Sequence, residues 1–145
     1  MSVSDHANAA IVRAFVEVFW NERDIDRADE FLSPDYIDHA YTPHTASGLK
    51  RTAGELAAAF PDHRTTIEDV VAQEDRVMTR MVLRGTHGGP FRGAVPTGNP
   101  IEVAVYRTYR LADGKIAEHW ALLDTATLLR QIGAQPSPET ACKRA

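Results

Sequence analysis

The chain has 145 residues, 43% hydrophobic and 25% charged, with a formal net charge of −4 and a pI near 5.8. That length suits one domain with a buried core, and an acidic balance without a basic cluster argues against nucleic acid as the partner. No apolar run reaches the roughly 18 residues of a membrane span, MSVSDHANAA has no signal-peptide pattern, and the single Cys142 supports neither a disulfide framework nor a cysteine metal site, so a cytoplasmic protein is expected.

In chain order, helices come first. Ile11, Ala14, Phe15, Val18 and Phe19 recur at helical spacing and predict a helix to about Asn21, capped at Ser4 or Asp5. Asp24 is placed to cap a short helix over Ile25 to Leu32, ended by Ser33-Pro34, with an extended piece over Asp35 to His39. Leu49, Ala53, Leu56, Ala57 and Phe60 predict a third helix, stopped by Pro61. The period then changes to two, with strands over Thr65 to Ala72, Val77 to Thr86, Ile101 to Leu111 and Lys115 to Leu123. Gly88 to Pro100 is a long Gly/Pro-rich loop that could form a mouth or lid. Asp124 is the natural cap of a last helix that ends at Gly133. The expectation is one α+β domain over 1–135, with a curved antiparallel sheet wrapped around the N-terminal helices, and a polar tail over 136–145.

The last two strands carry ionisable groups among core positions. A three-residue loop of Ala112, Asp113 and Gly114 would set Leu111 opposite Lys115, Arg107 opposite His119 and Val105 opposite Ala121. Odd-numbered positions of these strands are otherwise apolar or amphipathic, so Arg107 and His119 project together into an apolar space, which suggests a site. His119 is either a proton carrier or a core histidine bonded to a carbonyl, and Arg107 either holds a substrate oxygen, snorkels to the barrel rim, or pairs with Asp38 or Glu102. Only one of Asp38 and His39 can point inward. His87 shares the parity of Met81 and Leu83 and either lines the mouth or ends a strand in solvent, while His44 and His63 are loop residues. On the even face, Tyr106, Trp120 and Leu122, with Met78 and Val82, need cover that the helices cannot supply, which predicts a homodimer through sheet faces. No HxH, HxxxH, HExxH, GxGxxG or P-loop pattern occurs, so no metal, nucleotide or flavin is expected.

SPDYIDH, FPDH, RGTHGGPFRGAVPTG and DGKIAEHW…LLRQIG resemble the SnoaL-like polyketide cyclases, within the nuclear transport factor 2-like α+β barrels, from about Ile11 to Gly133. The resemblance implies a cone enclosing an apolar pocket, a polycyclic aromatic polyketide substrate and ring closure by aldol condensation. It also implies an acid/base aspartate on the last strand, at a position occupied here by Ala121, and a glutamine and a histidine where this chain has Val105 and Arg107; Asp38 matches a polar pocket position. Three altered positions point instead to the hydroxylase branch of the fold in anthracycline biosynthesis. The expected chemistry is then cofactor-poor hydroxylation with dioxygen as co-substrate and electrons from the substrate or a separate reductase. Arg107 would favour a phenolate and His119 or Asp38 would take its proton. Phe15, Phe19, Trp20, Tyr36, Phe60 and Tyr109 would wall the pocket, with His87, Val105 and Ala121 also lining it. Ring closure with His119 as the base, and a non-catalytic small-molecule binding module, are the alternatives.

Overall fold

The computed structural model describes residues 2–134, so the expected tail over 136–145 lies outside the described residues. Helix α1 (Val3–Phe15) starts earlier than the sequence predicts. Ser2 is its cap: the Ser2 hydroxyl accepts from the Asp5 N–H at 3.1 Å while the Asp5 carboxylate accepts from the Ser2 N–H at 3.0 Å. Asp5 is therefore the acidic half of a capping box rather than the cap itself. The same apolar stripe continues to Asn21, but as a π-helical stretch over Val16–Asn21. The side-chain amide of Asn21 then accepts from the Thr65 N–H at 2.7 Å and donates to the Thr65 carbonyl at 2.9 Å, fixing the end of this helix to the sheet.

Ile25–Glu30 is a 3₁₀ helix in which Asp24 makes no side-chain cap, so the tighter turn ends two residues before the predicted boundary and Leu32 already belongs to a strand. The remaining elements are β1 (Leu32–Asp38), α2 (Ala46–Ala59), β2 (Arg64–Gln73), β3 (Arg76–Thr86), β4 (Pro100–Ala112), β5 (Lys115–Leu123) and α3 (Thr125–Gln131). Asp124 caps α3 as expected, accepting from the Thr127 N–H at 3.1 Å.

One five-stranded sheet runs β1-β5-β4-β3-β2. The strands from β2 to β5 are antiparallel neighbours, but β1 lies parallel to β5, so the α+β fold has an open, mixed sheet and not a wholly antiparallel barrel. Nearly 80 residues separate β1 from its partner, and no tight hairpin forces the pair to be antiparallel. Odd-numbered residues of β3 and β4, from Val77 through Leu83 and Ile101 through Leu111, face the helices and form the core with Val12, Phe15, Val16 and Phe19. No helix among the described residues is long and apolar enough to cross a membrane.

The β4–β5 hairpin departs from the predicted register in two places. Asp113 and Gly114 both have positive φ, +51° and +77°, and close a two-residue turn that pairs Ala112 with Lys115. Ala117 is then an extra residue, because Leu111 pairs with Ile116 but Arg110 with Glu118. Each irregularity shifts the register by one position. Arg107 therefore lies opposite Ala121, Tyr109 opposite His119 and Val105 opposite Leu123, and not as the three-residue loop predicts. Two single shifts restore parity, so Arg107 and His119 still share the inner face.

Candidate active site

Strand β1 ends beside β5, pairing Asp38 with His119, and the alternation along β1 turns Asp38 inward and leaves His39 against Glu118. The Asp38 carboxylate is completely buried, and its charge is met on all sides. Oδ2 accepts from the Tyr36 hydroxyl at 2.7 Å and faces His119 Nδ1 at 3.2 Å; Oδ1 accepts from the Ala40 and Tyr41 N–H groups at 2.8 and 3.0 Å. Burial alone would raise its pKa, but the hydrogen bonds from His119, Tyr36 and the Ala40 N–H outweigh burial and hold it below the usual value. Tyr36 is pushed upward by burial and by Asp38, and remains a donor.

His119 has a second partner. Its Nε2 lies 3.0 Å from Nη1 of Arg107, a group that can only donate. With a carboxylate at Nδ1 and a guanidinium at Nε2, the ring must carry its proton on Nδ1 and accept at Nε2. Burial depresses the pKa of His119 to about 4, with the Arg107 charge adding to the shift and Asp38 opposing it, so the imidazole is neutral at physiological pH. Arg107 also donates to the Tyr41 hydroxyl at 3.0 Å, and its guanidinium carbon stands 4.3 Å from the centre of the Trp20 ring. Burial works against this cation, but Tyr41, Tyr109 and Asp38 more than offset it, and its pKa is raised. The result is a negative carboxylate, a neutral imidazole and a positive guanidinium in one line, closed from solvent except at the half-buried Tyr41. Such an array can orient a base and stabilise an oxyanion.

Of the residues that the sequence singles out, Asp38, His119, Arg107, Trp20, Tyr36 and Tyr109 come together. Tyr109 lies 5.2 Å from His119, ring centre to ring centre, and Phe15 extends the wall at 6.2 Å from Tyr109 with Phe19 stacked on it at 4.9 Å. Ala121, half-buried, pairs with Arg107 and brings no carboxylate, and Val105 is buried further along β4. Phe60 and His87 lie elsewhere: they pack on one another at 5.7 Å, with Phe91 5.5 Å from Phe60. His87 neither lines an open mouth nor ends in solvent, because its Nδ1 accepts from the Thr97 N–H and the loop folds back over it. That loop is strapped to α2 through the Gly88 and Gly89 N–H groups, both 3.0 Å from the Ala59 carbonyl. A Cβ on Gly89 would stand 2.0 Å from the Ala58 oxygen, so only glycine fits there. His63, expected in a loop, is in one but is buried. Arg107 pairs with neither Asp38 directly nor Glu102, whose partner is Arg84 at 2.7 Å. Sequence reasoning misses Tyr41: the only signal is its position three residues after Asp38, and the return of this loop over Arg107 depends on His44, whose Nδ1 bonds the Asp38 and Tyr41 carbonyls at 2.9 Å.

Among the described residues no cluster of His, Cys, Asp and Glu could hold a metal ion. Residues 10–132 match the SnoaL-like polyketide cyclase family. The chain is 32% identical over 120 residues to nogalonic acid methyl ester cyclase of Streptomyces nogalater, covering 79% of this chain and 88% of that one. It is 30% identical over 148 residues to the aklanonic acid methyl ester cyclase AcmA of Streptomyces galilaeus, covering 93% and 96%. Among solved structures, AclR of Streptomyces galilaeus, to which a hydroxylase activity has been ascribed, superposes with a TM-score of 0.81 at 28% identity, covering 89% and 97%. With a match across most of its length and relatives at this level of identity, the chain belongs to the SnoaL-like polyketide cyclase family.

Proposed function

We propose that this chain deprotonates an anthracycline-type polyketide precursor at a carbon between two carbonyls and closes a ring by intramolecular aldol condensation, with His119 as the base. The single observation that carries this reading is the line Asp38–His119–Arg107. All four acceptor positions of Asp38 are filled, which suits it to fix the imidazole tautomer and stabilise the imidazolium rather than to take the proton itself. His119 Nε2 is then the basic atom, and it replaces the carboxylate that family resemblance would put at Ala121. At rest Arg107 occupies its lone pair. A substrate oxygen that draws Arg107 away from Nε2 frees the base and acquires the cation that stabilises the enolate, so binding and activation are one movement. Tyr41 must leave Arg107 in the same step. The names of the two cyclase relatives, for methyl esters of nogalonic and aklanonic acid, support an anthracycline-type substrate.

Hydroxylation is the second reading, favoured by the absence of a carboxylate at position 121 and by the likeness to AclR. An Arg107-bound phenolate would pass an electron to dioxygen; one oxygen atom enters the ring, the other leaves as water, and a reductase supplies the two electrons. The discriminating experiment is incubation with an anthracyclinone precursor methyl ester, with and without dioxygen and a reductant. An isomer of unchanged mass with a new ring supports the proposal. A product heavier by one oxygen, formed only with dioxygen, overturns it in favour of hydroxylation, and unchanged substrate leaves only a binding module.

The assembly unit is proposed to be a homodimer. Val71, Met78, Tyr106 and Leu122 stand exposed on the outer sheet face around a groove of about 480 Å³, while the neighbouring charges Asp69 with Arg80 and Glu118 with Arg110 are already paired within the chain. A neutral, apolar face of this kind suits a second copy of itself. Sedimentation should give a dimer at micromolar concentration and a monomer for Leu122→Glu; a monomeric wild type would contradict it.

A further inference from the structure

Tyr109 is fully buried, yet its hydroxyl has no protein hydrogen-bond partner. Buried hydroxyls are almost always bonded, because an unmet donor costs free energy that an apolar ring of the same shape would not. Phenylalanine in its place would fill the same volume. The hydroxyl belongs to the neighbourhood of the proposed base: Tyr109 pairs across the strands with His119, and its electrostatic partners are Arg107, Tyr41 and Asp38. Every other polar group in that neighbourhood is engaged, apart from the Trp20 indole N–H on the ring beneath Arg107. Burial raises the Tyr109 pKa, so it stays protonated and offers a hydrogen at any physiological pH.

Resting on the aldol reading above, we infer that Tyr109 is a catalytic residue that donates to the acceptor carbonyl of the ring closure. An aldol step has two oxygens that need a donor. The enolate oxygen forms where His119 removes the proton, and Arg107, already on Nε2, is placed for it. The second is the ketone oxygen that becomes an alkoxide as the new bond forms. In the balanced step the C–H bond breaks with its proton going to His119 Nε2, and its electron pair makes the enolate. The enolate carbon then bonds the ketone carbon, and the ketone π electrons move to an oxygen held by the Tyr109 O–H. The proton on His119 finally returns to that alkoxide, and the product is an isomer of the substrate. Tyr109 thus acts as a one-donor oxyanion hole in a dry site, where such a bond is strongest.

The test is Tyr109→Phe, read in three ways. Its melting temperature should equal or exceed that of the wild type, because the lost hydroxyl has no protein partner to lose. Its kcat for ring closure should fall about 10²-fold while KM stays within about threefold, as for loss of a donor used in the transition state. Independently of turnover, binding of 9,10-anthraquinone should weaken about three- to tenfold in the variant while anthracene, the same rings without oxygens, should bind both proteins alike. A kcat within threefold of wild type, a clear drop in melting temperature, or equal changes with both probes would overturn the assignment. The probe arm separates this failure from that of the aldol reading: a wild type that forms no ring but loses only anthraquinone affinity on substitution keeps Tyr109 as the carbonyl donor of the pocket.

Discussion

Two regions of this molecule bury a histidine with the same depressed pKa, and they are built differently. His119 lies near the start of β3, where its partner Tyr109 pairs with Val77; His63 lies near the other end, in the loop before β2. Burial carries both to a pKa of about 4, helped at His119 by Arg107 and at His63 by Arg23. At His119 both ring nitrogens have charged partners. At His63 the Nδ1 has none, and Arg23 bonds the backbone carbonyl, at 2.6 Å, instead of the ring. A low histidine pKa therefore reports burial. What marks a site is a carboxylate behind the ring and a cation in front of it.

His119→Gln should lower turnover about 10²–10⁴-fold, the usual contribution of a general base, and Asp38→Asn should do the same by removing the group that fixes the tautomer. His63→Gln should leave kcat within about threefold. Comparable losses at His63 and His119 would mean that burial, and not wiring, matters to catalysis. Next in size, Arg107→Met should weaken binding of an anionic polyketide about 10–100-fold, since a charge-assisted hydrogen bond contributes about 1.5–3 kcal/mol; titration calorimetry reads this, and unchanged affinity would remove the oxyanion role.

In the pH dependence of stability the two regions should behave alike. Each folded-state pKa lies near 4, against 6.5 for the free side chain, so between these values the unfolded chain binds more protons. Stability is then fully present above about pH 6.5 and is lost as pH falls towards 4, with a slope of about 1.4 kcal/mol per pH unit for each histidine. Urea midpoints from pH 7 to pH 4.5 should fall accordingly, and either His63→Gln or His119→Gln should flatten the curve. The smallest effect is expected for Tyr41→Phe, where turnover should change less than tenfold, because its bond to Arg107 is one that the substrate must break in any case.

Much of this arrangement is legible in the sequence, through periodicity. Alternation in IEVAVYRTYRL and KIAEHWALL puts Arg107 and His119 on the inner face, and YIDH lets only one of Asp38 and His39 point inward, which the pairing of Asp38 with His119 settles in favour of Asp38. The register is not legible, because it depends on Asp113 adopting a left-handed conformation and on a bulge at Ala117, neither of which has a periodic signature. Nor is the parallel pairing of β1 with β5, a contact between segments some 80 residues apart that no local pattern encodes. The role of Asp38 changes for the same reason: only the pairing of those strands shows that its lone pairs are consumed. Nor is the environment of His87 legible, because the fold of a Gly/Pro-rich loop over a strand end is set by its tertiary contacts, here Thr97 and the end of α2.

The proposed chemistry of the site depends on His119 being neutral, protonated at Nδ1 and held at Nε2 by Arg107. The most direct measurement is a ¹⁵N NMR titration of the His119 imidazole, assigned by comparison with His119→Gln. At pH 7 the ring should show an N–H resonance at Nδ1 and a hydrogen-bonded lone-pair resonance at Nε2, with protonation only near pH 4. A ring protonated at Nε2, or an imidazolium already present at pH 6, would contradict it.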